Sequence, residues 1–177
     1  MQEMLARYYD DFADTLNWLD GKQEWGIKIY ANGEALERKV IEMSGQLQER
    51  SAKAAEKFGG AAYFERKKLE KDLAEEVERI TDEYAQRSHD RLAAHAEACV
   101  VNALQSKEVS GREADMALNG AYLVAEERLA DFRAELNGLT KEFGDFGFVY
   151  ESTGPWPPYN FAKIGADGDM DDEPVSG

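Results

Sequence analysis

The sequence predicts an α+β fold in which long antiparallel amphipathic helices pack on a small sheet. Long stretches repeat apolar residues every three or four positions, two short stretches have the composition of strands, and glycine-containing turns separate them. The chain has 177 residues, a length typical of one domain, and 43% of them are hydrophobic, which is enough to form one sizeable core.

The first two elements are predicted to be a helix and a strand. Residues 5–19 carry apolar side chains at steps of three and four, and Asp20 with Gly21 ends that pattern. Residues 24–30, EWGIKIY, alternate apolar side chains with others, as a half-buried strand does. Gly26 adjoins the large indole of Trp25, which predicts a bulge or a close backbone approach.

Two further helices are predicted to follow. Asn32 is a suitable N-cap for the first, whose apolar stripe extends to Phe58 and the glycine pair after it. The next helix should run to about residue 105. Its apolar residues repeat every 3.5 positions on average, which predicts a coiled-coil-like seam formed by Leu69, Leu73, Val77, Ile80 and Tyr84.

A fourth helix is predicted to begin near Ser110, because Ser110 and Glu113 have the spacing of a capping box. Gly144 should end it. Its apolar residues alternate steps of four and three and predict a second coiled-coil-like seam, formed by Leu118, Tyr122, Ala125, Leu129, Phe132, Leu136, Leu139 and Phe143.

The C-terminal part combines a strand, a proline-rich segment and an acidic tail. Residues 146–152 should pair with residues 24–30 in one sheet, because each has one apolar face and neither is stable alone. The segment TGPWPPYNF, residues 153–161, must lie at an edge or turn, since proline cannot donate ladder hydrogen bonds. We assign residues 1–164 to one domain and expect residues 165–177 to form a disordered acidic tail.

The charge disfavours several classes of partner. The 36 acidic and 21 basic residues give a net charge of −15, which repels nucleic acids and anionic membranes. No stretch approaches the roughly 20 apolar residues of a membrane span, and the first residues lack the pattern of a signal peptide. Cys99 is the only cysteine, which fits a reducing compartment. We therefore expect a cytoplasmic protein with neither a nucleic-acid nor a membrane partner.

The sequence predicts no metal site. His89, His95 and Cys99 are the only soft ligands, and only His95 and Cys99 would share a face of the predicted third helix. Two such ligands do not make a zinc site. Three tail acids have the first spacings of a calcium loop, but that loop's glycine and final glutamate are missing: Asp167, Asp169 and Asp171.

Catalysis and cofactor binding are not predicted either. The sequence has no serine nucleophile elbow, no phosphate-binding glycine loop and no cysteine–histidine dyad with a third member. Acidic pairs such as Glu75 with Glu76 alternate with Lys and Arg on helix faces that should be exposed. We therefore expect no enzymatic activity and no cofactor.

Four aromatic residues are candidates for contacts with a partner. Three prolines and a glycine give residues 153–161 a stiff path that presents Trp156, Tyr159 and Phe161 at defined angles, and Trp25 lies in the strand expected nearby. This segment is either a rigid turn that closes one end of the core or an aromatic docking surface. We predict partner binding through Trp156, Tyr159, Phe161 and Trp25.

Three blocks of the sequence resemble the gas-vesicle GvpL/GvpF family. They are LDGKQEWGIKIY at residues 19–30, GGAAYFERKKLEKDL at 59–73 and STGPWPPYNF at 152–161. The first is similar to the family's Glu-Trp-Gly-Val-Lys-Val strand, the second to its Gly-x-x-Tyr helix entry, and the third to its Gly-Pro-Trp-Pro-Pro-Tyr-Ser-Phe ending. Residues 119–132 also resemble the family's penultimate helix.

The resemblance implies a function in gas-vesicle formation. Members are non-enzymatic accessory or minor structural proteins that associate with the shell protein GvpA and with other accessory proteins. They usually carry an α/β domain before the first block, and Met1 falls almost at that join, so we expect this chain to be a C-terminal part or a shortened homologue. The alternative functions are a general acidic coiled-coil adaptor and an enzyme, which would need a pocket with perturbed carboxylates.

Overall fold

Four antiparallel strands form one sheet at the centre of the protein. The computed structural model describes residues 9–56 and 60–162. The strands lie in the order β2-β3-β1-β4, so β1 and β3 are central and β2 and β4 are the two edges. Their bounds are β1 Lys22–Ala31, β2 Ala98–Val101, β3 Asp115–Ala125 and β4 Phe148–Trp156.

Six helices accompany these strands within the described residues. One group of helices connects β1 to β2, and another helix connects β3 to β4. The order is therefore β-α-β-β-α-β, the split βαβ arrangement of ferredoxin-like sheets. The predicted α+β class is therefore confirmed. The helices are α1 Tyr9–Leu19, α2 Gly33–Met43, α3 Gly45–Glu56, α4 Gly60–Ala93, α5 Lys107–Ser110 and α6 Leu129–Gly144, with a 3₁₀ turn at Glu126–Arg128.

The predicted pairing of the first and last strands is confirmed. β1 and β4 are antiparallel neighbours, with Ile27 opposite Ser152 and Tyr30 opposite Val149. β4 is an edge strand, which explains how it can contain Pro155 without losing an essential hydrogen bond. The proline-rich segment therefore begins at a sheet edge, as its composition predicts.

The alternation of β1 separates two apolar clusters. Its odd-numbered apolar side chains enter the main core between the sheet and α2, α4 and α6, whereas Glu24, Gly26 and Lys28 occupy the opposite face. The main core includes Trp25, Ile27, Ile29, Leu36, Leu73, Leu92, Tyr122, Phe132, Leu139 and Phe143. The opposite face carries a second, smaller cluster of Ala121, Leu123 and Phe161.

The second predicted helix is two helices. Asn32 is its N-cap as expected, because its Oδ1 accepts a hydrogen bond from the Ala35 N–H at 3.0 Å. Ser44 interrupts it with an extended backbone, and the Ser44 Oγ accepts from the Leu47 N–H at 3.3 Å to begin α3. The expectation of one continuous helix was wrong because a serine can cap a new helix as well as continue an old one.

The third predicted helix ends earlier than expected. α4 stops at Ala93, and residues 98–101 form β2, which pairs with β3 so that Val100 lies opposite Ala121. His95 and Cys99 therefore do not share a helix face. β2 pairs with the central strand β3, and this pairing outweighs the helical propensity of the alanine-rich stretch.

The prediction of a fourth helix was wrong for the first half of its residues. Residues 115–125 form β3, and only Leu129–Gly144 is helical, ending at Gly144 as predicted. Leu118 and Tyr122 are four residues apart, a spacing that suits one helix face and one strand face equally. Gly120 accommodates the strand: a Cβ atom there would lie 2.7 Å from the Tyr122 ring.

The predicted apolar seams contribute to one shared core. Leu69, Leu73 and Ile80 of α4 are buried with Phe132 and Phe143 of α6. Arg91 of α4 also pairs with carboxylates of α6. The helices are thus packed together on the sheet, while their supercoiling as a coiled coil stays a prediction.

Several expectations fall outside the described residues. They include the domain boundary at 164, the disordered tail at 165–177 and the three tail acids. Among residues 9–56 and 60–162, no helix combines the length and apolar character required to span a membrane.

The burial of Phe132 generates a stability prediction. This ring is 1% exposed and lies 5.6 Å from the Tyr122 ring, measured between centroids. Phe132→Ala should lower the free energy of unfolding by about 3 to 5 kcal/mol, because it removes apolar contacts and leaves a cavity. Denaturant unfolding measures this change. Phe64→Ala, at an exposed ring of α4, is the matched control and should change stability little; equal effects would contradict the assignment of the core.

Candidate protein-binding surface

The proline-rich segment crosses the sheet face opposite α2, α4 and α6, the face on which Leu19 of α1 also packs. It leaves the edge strand β4 at Trp156 and turns through two prolines, where the Phe161 N–H donates to the Pro158 carbonyl at 3.0 Å. Phe161 then reaches the cluster on β3, two strands away from β4. The chain therefore passes over β1 near Glu24.

Glu24 holds this segment on the sheet. Its side chain is buried, with 5% of the residue exposed, and it faces the proline segment rather than the helix layer. One carboxylate oxygen accepts from the Asn160 N–H at 3.0 Å, and the other accepts from the Asn160 side-chain amide at 2.5 Å. A buried carboxylate requires such donors, since its charge is otherwise left without the hydrogen bonds that water provides.

Two glycines leave room for close contacts between β1 and β4. A Cβ atom at Gly154, which has φ +129°, would lie 2.8 Å from the Glu24 carbonyl oxygen. A Cβ atom at Gly26 would lie 2.7 Å from the Thr153 Oγ1, and the strand register shifts between Glu24 and Gly26. The irregularity predicted at Gly26 is therefore confirmed, while the close contact there is with the Thr153 side chain, since the Thr153 carbonyl oxygen would lie 3.9 Å from that Cβ atom.

The structure divides the four predicted binding residues into two pairs. Trp156 and Tyr159 are 52% and 78% exposed, whereas Phe161 and Trp25 are 5% and 8% exposed. Phe161 packs in the second cluster, and Trp25 packs in the main core on the other side of β1, where its ring lies 4.8 Å from the Arg133 guanidinium. Phe161 thus supports the segment from inside, Trp25 belongs to the main core, and the two accessible rings are those of Trp156 and Tyr159.

Helix α1 extends this surface in a way that the sequence did not predict. A cavity of about 490 Å³ separates the end of α1 from the proline turn, and it is lined by Leu16, Leu19, Pro157, Pro158 and Tyr159, among others. Leu16 is exposed although it belongs to the apolar stripe of α1. We call Leu16, Trp156 and Tyr159 the aromatic surface. Periodicity identified the stripe but cannot tell an amphipathic helix with a packed apolar face from one whose face stays open.

The structure shows where the candidate zinc ligands lie. Cys99 is exposed, and its Sγ lies 3.9 Å from the His89 Nε2, while the His89 Nδ1 is 2.9 Å from the Tyr122 hydroxyl. Burial raises the pKa of Tyr122 well above its ordinary value. No cluster of three or more His, Cys, Asp or Glu side chains suited to a metal ion occurs among the described residues.

The architecture defines an α+β protein with a split βαβ sheet, one face covered by α2, α4 and α6, and an aromatic surface at its C-terminal turn. The family model described as gas vesicle synthesis protein GvpL/GvpF matches residues 1–163, and the chain belongs to this family. The family resemblance predicted from the three sequence blocks is therefore confirmed.

Two curated relatives have similar sequences. Gas vesicle protein L of Streptomyces sp. (strain CB03234) is 32% identical over 164 residues, which cover 93% of this chain and 57% of that protein. Gas vesicle protein F of Haloferax mediterranei is 35% identical over 98 residues, which cover 51% of this chain and 44% of that protein. The chain thus spans about half the length of the curated relatives it matches.

Two solved structures share the fold. The crystal structure of GvpF from Microcystis aeruginosa superposes with a TM-score of 0.62 at 21% identity, covering 93% of this chain and 64% of that one. GvpF from Anabaena sp. PCC7120 gives a TM-score of 0.66 at 18% identity, covering 92% and 63% respectively. At these identities the likeness shows the fold.

The contact between Glu24 and Asn160 generates a second stability prediction. Asn160→Ala removes the side-chain donor at 2.5 Å and leaves one oxygen of a buried carboxylate without that partner. The free energy of unfolding should fall by about 1.5 to 3 kcal/mol, the range for hydrogen bonds to charged groups. Asn137→Ala, on the exposed side of α6, is the control; if both variants melt alike, Asn160 does not hold the segment.

Proposed function

We propose that this chain takes part in gas-vesicle assembly through protein–protein contacts and that the aromatic surface is one of its binding sites. The observation that carries the proposal is the exposure of Trp156 and Tyr159 on a segment held firmly from inside. Tryptophan and tyrosine are enriched at protein–protein interfaces, where their large rings anchor the contact. Family membership supplies the cellular setting.

The segment favours binding because it is already ordered. Its prolines restrict the backbone, the Glu24 carboxylate holds Asn160, and Phe161 is buried beyond it. Little conformational entropy is then lost when a partner binds, so more of the contact energy is retained as affinity. Tryptophan and tyrosine are also the side chains that most often dominate interface energetics.

The proposed partners are the gas-vesicle shell protein GvpA and other accessory gas-vesicle proteins. Relatives bearing the names gas vesicle protein L and gas vesicle protein F support this choice. The net charge of −15 disfavours anionic membranes and nucleic acids as alternatives. We propose a non-enzymatic role, without a cofactor, in the cytoplasm and at the gas vesicle.

The proposal can be tested by co-expressing the chain with tagged GvpA and measuring how much of it is captured. Trp156→Ala and Tyr159→Ala should each weaken capture by about tenfold or more, as expected of central aromatic contacts. Because both rings are exposed, thermal unfolding monitored by circular dichroism should change little. Co-purification of the chain with washed vesicles would extend the test to the assembled shell.

A control separates the aromatic surface from other exposed apolar side chains. Val109→Ala removes an exposed valine from α5, which belongs to neither the aromatic surface nor the proline segment, and should leave capture of GvpA unchanged. Undiminished capture by a folded double variant, Trp156→Ala with Tyr159→Ala, would rule out the aromatic surface. Unfolding of that double variant would instead assign the two rings a structural role.

A further inference from the structure

The first turns of α4 carry an exposed aromatic and basic face. Tyr63 and Phe64 are both exposed, and their rings meet edge to face with centroids 5.9 Å apart. Lys67 and Lys68 are exposed and make no ion pair with a described residue, while the Lys71 Nζ lies 3.5 Å from Glu75. We call these five residues the basic tip.

Helix geometry places the basic tip away from the core. At about 100° per residue, its five residues fall within an arc of about 140° on the side of α4 opposite Leu69 and Leu73. Those two leucines are buried and fix the orientation of the helix. The basic tip is therefore directed outward on a chain whose overall charge is −15.

A surface of opposite charge lies on α1. Asp10, Asp11, Asp14 and Trp18 are exposed and fall within an arc of about 100° on that helix. α1 contains no basic residue, but the Lys22 Nζ of β1 lies 5.2 Å from the Trp18 ring centroid, so the negative charge of this face is concentrated at its three aspartates. We call these four residues the acidic face.

The acidic face also borders an apolar cavity. Asp14 and Trp18 line a cavity of about 430 Å³ together with Val100 and Phe161, among others. The cavity volume exceeds that of an aromatic ring, and Asp14 in its lining would attract a cation beside that ring. The basic tip offers both features, because its exposed rings are flanked by lysines: an aromatic ring for the cavity and a cation for the carboxylate.

We propose that the basic tip of one copy of this chain docks on the acidic face of a second copy, with Phe64 or Tyr63 entering the cavity. The two surfaces consist of different residues, so the contact is head-to-tail. Such contacts produce rings when the rotation closes and open chains when it does not. The occupant is a second copy because the charge and shape that match the tip are present on the same chain. This surface is separate from the aromatic surface, and its test does not involve GvpA.

Sedimentation velocity of the purified full chain over a concentration series tests the proposal. The wild-type chain should form assemblies that grow with concentration. Lys67→Glu with Lys68→Glu, and separately Asp10→Lys with Asp11→Lys, should each raise the dissociation constant by about tenfold or more, because each places like charges in contact. All four positions are exposed, so circular dichroism should show folded variants.

Mixing the two charge-reversed variants gives the sharpest result. The acidic tip of one variant then meets the basic face of the other, and the unchanged basic tip of the second variant meets the unchanged acidic face of the first, so association should return. Arg38→Glu with Lys141→Glu makes the same change in net charge at exposed positions elsewhere and should associate as the wild type does. Phe64→Ala should weaken association without changing the charge.

Three outcomes would overturn the proposal. The first is a wild-type chain that stays monomeric at its highest soluble concentration. The second is a control variant that loses association as completely as the tip variant, which would assign the effect to net charge. The third is a mixture of the two charge-reversed variants that associates no more than either variant alone.

Discussion

A buried carboxylate on a central strand determines how the C-terminal segment is arranged. Glu24 lies on the sheet face opposite α2, α4 and α6, where a charged side chain is stable only if donors reach both of its oxygens. Asn160 provides those donors through its backbone and side-chain amides. The prolines, the turn and the burial of Phe161 together bring Asn160 above Glu24 and so make this contact possible. Exposure of Trp156 and Tyr159 is in turn a consequence of that path.

The two faces of β1 have different functions in the protein. Trp25, Ile27 and Ile29 bind the sheet to the helix layer and contribute mainly to stability. Glu24 and Gly26 position the proline segment, through hydrogen bonds in one case and through the absence of a side chain in the other. A single ten-residue strand therefore connects the core to the proposed binding surface. This explains why the EWGIKIY and GPWPPYNF blocks are best interpreted as one structural unit.

The sequence predicted those features that depend on local pattern. The alternation in β1, the cap at Asn32 and the edge position of Pro155 each follow from a short-range rule, and each is confirmed. It did not predict β3, because Leu118 and Tyr122 satisfy both periods and only pairing with two neighbouring strands decides between them. The contact between Glu24 and Asn160 joins residues 136 positions apart, and no local pattern indicates it. The exposure of Leu16 likewise depends on what surrounds α1 rather than on its own sequence.

Hydrogen exchange at the Asn160 backbone amide tests the central claim most directly, because that N–H donates to the Glu24 carboxylate in a segment outside the regular strands. In the wild-type chain this amide should exchange slowly, as a buried hydrogen bond requires. In Glu24→Ala it should exchange much faster, while the amides that pair β1 with β3 keep their protection. An Asn160 amide that exchanges rapidly in the wild type, or equally slowly in both proteins, would contradict the account.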